Sequence, residues 1–174
     1  DGPRDVFVAD IDSDGDMDIV SASREDDTIS WYENNGAADP TFAAADIATS
    51  ADYAHGIFAA DMDGDGDLDI ISASETDDKI AWYENDGAAD PTFAYASIAT
   101  TADEASDIQV ADVDGDGDLD IISASEADDT IAWYINDGAK DPTWTAVDIA
   151  TNADGAMNVD VGDIDGDGDL DIIS

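Results

Sequence analysis

The sequence predicts an all-β fold of propeller-type blades, each made of four antiparallel strands. Three observations carry that reading. A 51-residue unit recurs over residues 1–51, 52–102 and 103–153, with a partial fourth unit at 154–174. Within each unit, short apolar runs are separated by Asp/Asn-Gly turns, the spacing of strands rather than helices. The period lies near the roughly 40 to 50 residues that one propeller blade occupies. The four units therefore read as one continuous repeat domain.

The second unit shows each element in order. Gly56 to Ala60 (GIFAA) reads as a strand leading into an acidic loop, and Leu68 to Ser74 (LDIISAS) as the strand leaving it. A turn at Glu75-Thr-Asp-Asp78 follows. Lys79 to Glu84 (KIAWYE) then alternates, with Ile80 and Trp82 on one face. Asn85-Asp86-Gly87 is a strong turn signal, and a fourth strand is expected around Phe93 to Thr100. Ile29, Ile80 and Ile131, with Trp31, Trp82 and Trp133, recur at the same places and are expected in the blade-to-blade core. A carbohydrate-stacking role is the alternative for the Trp column. Tyr32, Tyr83 and Tyr134 alternate to the other side and are expected to be exposed.

The acidic loop is a nine-residue run with a carboxylate at every odd position. It is DIDSDGDMD in the first unit, DMDGDGDLD in the second, DVDGDGDLD in the third and DIDGDGDLD in the fourth. The carboxylates are Asp10, Asp12, Asp14, Asp16 and Asp18; Asp61, Asp63, Asp65, Asp67 and Asp69; Asp112, Asp114, Asp116, Asp118 and Asp120; and Asp163, Asp165, Asp167, Asp169 and Asp171. Charges so close repel by kcal/mol unless a cation sits among them. All-oxygen donors without Cys or His favour a hard ion with many ligands, hence Ca2+, about one per repeat. Positions 1, 3 and 5 would offer side-chain oxygens, position 7 its backbone carbonyl and position 9 a carboxylate. Position 6 is Gly15, Gly66, Gly117 or Gly168, where the chain must turn sharply. An EF-hand would need Glu at position 12 and a helix on each side. Ser21, Ser72, Ser123 and Ser174 stand there instead, next to β-like runs. Fourfold recurrence sets these loops apart from ordinary exposed Asp-Gly turns.

Charge narrows the partners. Four Lys plus Arg against 46 Asp plus Glu give a formal net charge of -42. That sign excludes nucleic acid and attraction to an anionic membrane surface. It suits a cation-rich or extracellular medium, or a halophile. There is no Cys, which removes thiol catalysis and disulfides. No apolar run approaches a membrane span and no signal peptide is visible. The chain begins at Asp1 without Met, so an upstream part is expected to be missing or processed away.

The residues also resemble a known family, the FG-GAP or VCBS-type repeat, seen too in the integrin α-subunit propeller. The resemblance rests on a strand, the loop D-x-D-x-D-G-x-x-D, the aliphatic and small residues of DLDIISAS, and WYENDG, and it covers essentially the whole chain. It implies a calcium-binding β-propeller of secreted or cell-surface proteins, usually with around seven blades. The ion would lie in the loop joining the first two strands, on the Asp positions named above. The Gly-Ala-Pro end of the family's repeat is replaced by Ser-Ala-Ser (Ser21 to Ser23, Ser72 to Ser74, Ser123 to Ser125). That places it nearer the bacterial VCBS-like group.

Three units and a fragment cannot close a ring, so the chain is expected to be an excerpt of a longer array. Such an array would close as a ring or continue as a filament. The links before each first strand vary most: Pro3-Arg4-Asp5, Tyr53-Ala54-His55-Gly56, Glu104-Ala105-Ser106-Asp107 and Gly155-Ala156-Met157-Asn158. By analogy with the family they mark the ligand face, away from the acidic loops. His55, the lone His, reads as an incidental surface group. No nucleophile with a paired base stands out, and catalysis is not expected. The function expected is a secreted, non-enzymatic calcium-binding repeat serving as a structural or adhesive surface or fibre, its partners being neighbouring repeats or copies of itself. The alternatives are a propeller module binding a protein or glycan, or a non-catalytic module of a secreted enzyme.

Overall fold

The computed structural model describes residues 2–174. Blade 1 consists of β1 (Pro3–Ala9), β2 (Asp18–Ser23), β3 (Thr28–Asn34) and β4 (Phe42–Ala48). Blade 2 repeats it with β5 (Ala54–Ala60), β6 (Asp69–Ser74), β7 (Lys79–Asn85) and β8 (Phe93–Ala99), and blade 3 with β9 (Ala105–Ala111), β10 (Asp120–Ser125), β11 (Thr130–Asn136) and β12 (Trp144–Ala150). The partial unit contributes β13 (Asp160–Gly162) and β14 (Asp171–Ile173). Each blade is an antiparallel meander in sequence order. No helix occurs among the described residues, and none is long and apolar enough to cross a membrane.

Strand pairing fixes which side chains share a face. In blade 2, Ile71 sits opposite Trp82 and Ala73 opposite Ile80, while Ile70 faces Tyr83 and Ser72 faces Ala81. The first set points towards blade 3, the second towards blade 1. The core accordingly consists of slabs between blades. One slab joins Val20, Ile29 and Trp31 of blade 1 to Ile57, Ile70 and Tyr83 of blade 2. Its counterpart joins Ile71, Ile80 and Trp82 to Ile108, Ile121 and Tyr134. A third starts with Ile122 and Ile131 against Val159 of the partial unit. Fully burying one such Ile contributes about 1.5–3 kcal/mol.

This arrangement corrects the expectation for the Tyr column. Tyr83 and Tyr134 are each only 4% exposed, packed on the preceding blade, and Tyr32 is half-buried. Alternation suggested one wet face, but in a stack of blades both faces of a sheet are covered. Trp31 and Trp82 are buried as expected, with Trp133 partly buried against the partial unit. A regular alternation of inner and outer faces is thus replaced by alternation between the two neighbours.

The strands also set the two ends of the stack. Acidic loops lie at the end where β1, β5 and β9 finish, together with the turns after β3, β7 and β11. At the opposite end are the β2–β3 turns and the variable links into the next blade. There the αL residues Asp27, Asp78 and Asp129 (φ near +56°) close the turn. Their carbonyls accept the N–H of Ala51, Ala102 and Ala153, and their Oδ1 atoms accept the N–H of Tyr53, Glu104 and Gly155. Each turn thereby holds the link that starts the following blade.

Candidate metal centre

Each acidic loop gathers its carboxylates by spending them on its own backbone. Asp61 Oδ2 accepts the N–H of Gly66 at 3.0 Å, Asp63 Oδ1 that of Asp65 at 3.1 Å, and Asp65 Oδ1 that of Asp67 at 3.1 Å. Gly66 adopts φ +102°, a conformation closed to ordinary side chains, which lets the loop reverse there. The same bonds recur in loops 1 and 3. One oxygen from each of Asp10, Asp12 and Asp14 lies within 4.8 Å of the others, and so do those of Asp61, Asp63 and Asp65, and of Asp112, Asp114 and Asp116. Loop 4 groups Asp163 and Asp165 with Asp171 instead.

The remaining odd positions do different work. Asp16, Asp67 and Asp118 turn their carboxylates onto Gly36, Gly87 and Gly138, where a Cβ would collide with them. Asp169 carries its N–H to Asp167 Oδ1 at 3.0 Å. Asp18, Asp69 and Asp120 are the buried members, at most 1% exposed. Asp69 accepts the N–H of Met62 at 3.1 Å and of Asn85 at 2.8 Å, so it ties loop to strand. Burial pushes its carboxyl up to about 6, against the opposing pull of those two N–H groups and the Trp82 indole. Trp82 Nε1 makes no hydrogen bond of normal geometry, so its pull is the weaker contribution. Asp12, Asp63 and Asp120 are also raised, first by burial and then by neighbouring carboxylates.

The donor set fits a hard cation on an independent observation. Oδ1 of Asp10, Asp61 and Asp112 and Oδ2 of Asp63 are buried without a hydrogen-bond partner. A buried carboxylate oxygen without a partner costs stability that an ion among the carboxylates would return. The clusters are compatible with Ca2+ by their all-oxygen chemistry.

Away from the loops, clefts recur between blades. One of about 380 Å³ is lined by Thr49 and Ser50 of the link and by Lys79, Tyr83, Phe93 and Tyr95 of blade 2. Its rings Tyr83 and Tyr95 stand 5.7 Å apart, and Lys79 is paired with Asp77 at 2.7 Å. The corresponding cleft between blades 2 and 3, about 290 Å³, has Thr130 and Ala146 in place of Lys79 and Tyr95. At the link end, Arg4 donates to His55 Nε2 at 3.2 and 2.7 Å, and His55 Nδ1–H meets the Ser106 carbonyl. The lone His therefore bridges three successive blades rather than standing free in solvent.

A family model for the FG-GAP-like repeat matches residues 10–72, 61–123 and 112–174. The chain belongs to the FG-GAP-like repeat family. Each match runs from one acidic loop through the second strand of the next blade, so the FG-GAP-like unit spans the very interface that buries Trp and Tyr. The chain is similar in fold to a lectin of Agrocybe aegerita, solved to show specific recognition of non-reducing terminal N-acetylglucosamine. Identity is 23% and the TM-score 0.65 over 99% of this chain and 47% of that one. The FG-GAP-like chain thus spans about half the length of that lectin. No curated protein matches the sequence at a significant level. Repeat family and fold neighbour agree on the repeated all-β fold.

Two sets of residues in the FG-GAP-like units escaped the sequence reading. Asn85 was read only as a turn former and its counterparts Asn34 and Asn136 were not singled out, yet Asn85 and Asn136 are 2% exposed and join loops of neighbouring blades. Asp27, Asp78 and Asp129 likewise read as turn residues and prove to hold the next link. Their identity in every unit was the one available signal.

Proposed function

We propose that the protein is a non-catalytic, extracellular repeat module in which each acidic loop holds one Ca2+ and the ion fixes the connection between the first two strands of its blade. The observation that carries this is the buried, unpartnered carboxylate oxygen repeated in loops 1, 2 and 3. The first three odd positions would bind through side chains, the fourth through its backbone carbonyl while its carboxylate is turned onto glycine, and the fifth through its buried carboxylate. The bound ion supplies positive charge where the loop concentrates negative charge. The array then serves as a stable structural or adhesive surface among neighbouring repeats or copies of the chain.

Thermal melts in EDTA and in excess calcium test this. Calcium at ten times the dissociation constant adds about 1.4 kcal/mol per site, with affinities expected at roughly 0.1 to 1 mM. EDTA should lower Tm by many degrees, and calcium should restore it. A melting curve indifferent to both would defeat the proposal. Negative-stain images distinguish a fibre from compact particles.

A second reading, that the module also binds a glycan, is supported by the aromatic-walled cleft at Tyr83 and Tyr95 and by the lectin likeness. Titration with an oligosaccharide ending in N-acetylglucosamine should show binding that weakens about tenfold in Tyr95→Ala, since ring stacking is worth about 0.5–1.5 kcal/mol. Absence of binding by the unaltered protein would end this reading and leave the calcium one standing.

A further inference from the structure

We infer that neighbouring acidic loops take up their ions cooperatively and that Asn85 and Asn136 are the positioning residues that couple them. This rests on the cation reading proposed above. Asn85 Nδ2 donates to two carbonyls, that of Leu68 in its own loop and that of Ile11 in the loop of blade 1, both at 3.0 Å. Asn136 repeats the bridge to Leu119 at 3.0 Å and to Met62 at 2.9 Å.

The residue gripped in the preceding loop is the one that matters. Ile11 lies between Asp10 and Asp12, and Met62 between Asp61 and Asp63. The Ile11 N–H is held within its loop by Asp18 Oδ2 at 3.2 Å, while its carbonyl is held by the next blade and its side chain is 1% exposed. The following blade thus sets where the first two carboxylates of a loop stand.

At its other end the bridge reaches the next cluster. The main-chain N–H of Asn85 donates to Asp69 Oδ1 at 2.8 Å, and Asp69 Oδ2 takes the Met62 N–H at 3.1 Å. Asn85 Oδ1 accepts the Gly87 N–H at 3.0 Å, so the amide is engaged on both sides. An unbroken line therefore runs from Asp10 and Asp12 through the Ile11 carbonyl, Asn85 and Asp69 to Met62, then through Asn136 to Asp120. An ion that fixes Ile11 also fixes Asn85 and Asp69, so loop 2 loses less freedom when it fills. Asn34 repeats the inner half of the bridge, its Nδ2 donating to the Met17 carbonyl of its own loop at 3.0 Å.

Site-resolved calcium titration of the full chain by NMR tests the inference. The amide signals of Gly15, Gly66 and Gly117 report loops 1, 2 and 3, because each N–H donates to the first Asp of its loop at 3.0 to 3.1 Å. Disabling loop 1 with Asp12→Ala should weaken calcium binding at loop 2 at least about fivefold. In an Asn85→Ala background the same change should leave loop 2 unaffected, while loops 2 and 3 stay coupled through Asn136. Loop 2 indifferent to Asp12→Ala, or coupling that survives Asn85→Ala, would overturn the inference and leave the calcium reading intact. Glycine signals that ignore calcium altogether would overturn both. Amide exchange gives a measurement with Asn85 in place. In Asp63→Ala, filling loop 1 should slow exchange at the Asn85 N–H, and an unchanged rate would likewise overturn the coupling.

Discussion

Loops 2 and 4 differ at one of nine positions, Met62 against Ile164, yet they are shaped differently. Loop 2 is backed by blade 3, with Met62 3% exposed, while Ile164 is 59% exposed. In loop 2 the first Asp keeps one oxygen free of hydrogen bonds. In loop 4, Asp163 spends Oδ1 on Gly166 at 2.7 Å and Oδ2 on Gly168 at 3.2 Å. The partner sets follow: Asp61, Asp63 and Asp65 in one, Asp163, Asp165 and Asp171 in the other. Where a blade packs behind the nine residues, as it does for loop 2, one oxygen of the first Asp is left free of hydrogen bonds.

The largest way to break that comparison is to damage the packing itself. Ile57 is 3% exposed against blade 1, and Val6, at the same position of β1, is 58% exposed. Ile57→Ala should cost about 2–5 kcal/mol in denaturant unfolding, and Val6→Ala no more than about 0.5 kcal/mol. Equal effects would mean that the slabs between blades do not hold the array together.

Acidification sharpens it next. Asp69 has a folded-state pKa of about 6 against an ordinary 3.8, because burial disfavours its charge. The folded state therefore prefers the protonated acid: that stability is fully present below about pH 3.8 and is lost as pH rises through about 6. Without calcium, unfolding at pH 5 should need more denaturant than at pH 7, by about 1.3 kcal/mol from this group. Excess calcium should remove the difference by meeting the charge, and a calcium-free stability that falls on acidification would contradict this account.

The smallest effect concerns the link. Glu104 sits at φ +56°, where the partial unit has Gly155 at +67°. Glu104→Gly should raise stability by up to about 1 kcal/mol, the αL strain relieved exceeding the entropy added to the unfolded chain. A lower Tm would show that the Glu104 side chain contributes there.

Much of this was legible because the repeat displays each pattern several times. The strands expected at 56–60, 68–74, 79–84 and 93–100 form within two residues of those bounds, since alternation and Asn/Asp-Gly turns are local signals. That carboxylates gather in each loop was legible from their odd spacing around a glycine turn; which three gather was not, since loop 4 groups Asp163 and Asp165 with Asp171. Tyr83 was misjudged because alternation reports that a sheet has two faces without reporting what covers each. Asn85 was missed for a different reason: its decisive contact is a backbone carbonyl 74 residues away, and a carbonyl leaves no trace in side-chain identity. His55 likewise looked incidental until Arg4 and Ser106, one unit away on either side, came beside it.

The slab between blades has a genealogical consequence. Because the face carrying Ile80 and Trp82 is met by the same kind of surface that blade 2 itself presents to blade 1, gene duplication of a whole 51-residue unit creates no contact that the protein lacks already. Growth by whole units keeps each acidic loop matched with the Asn of the blade that follows it.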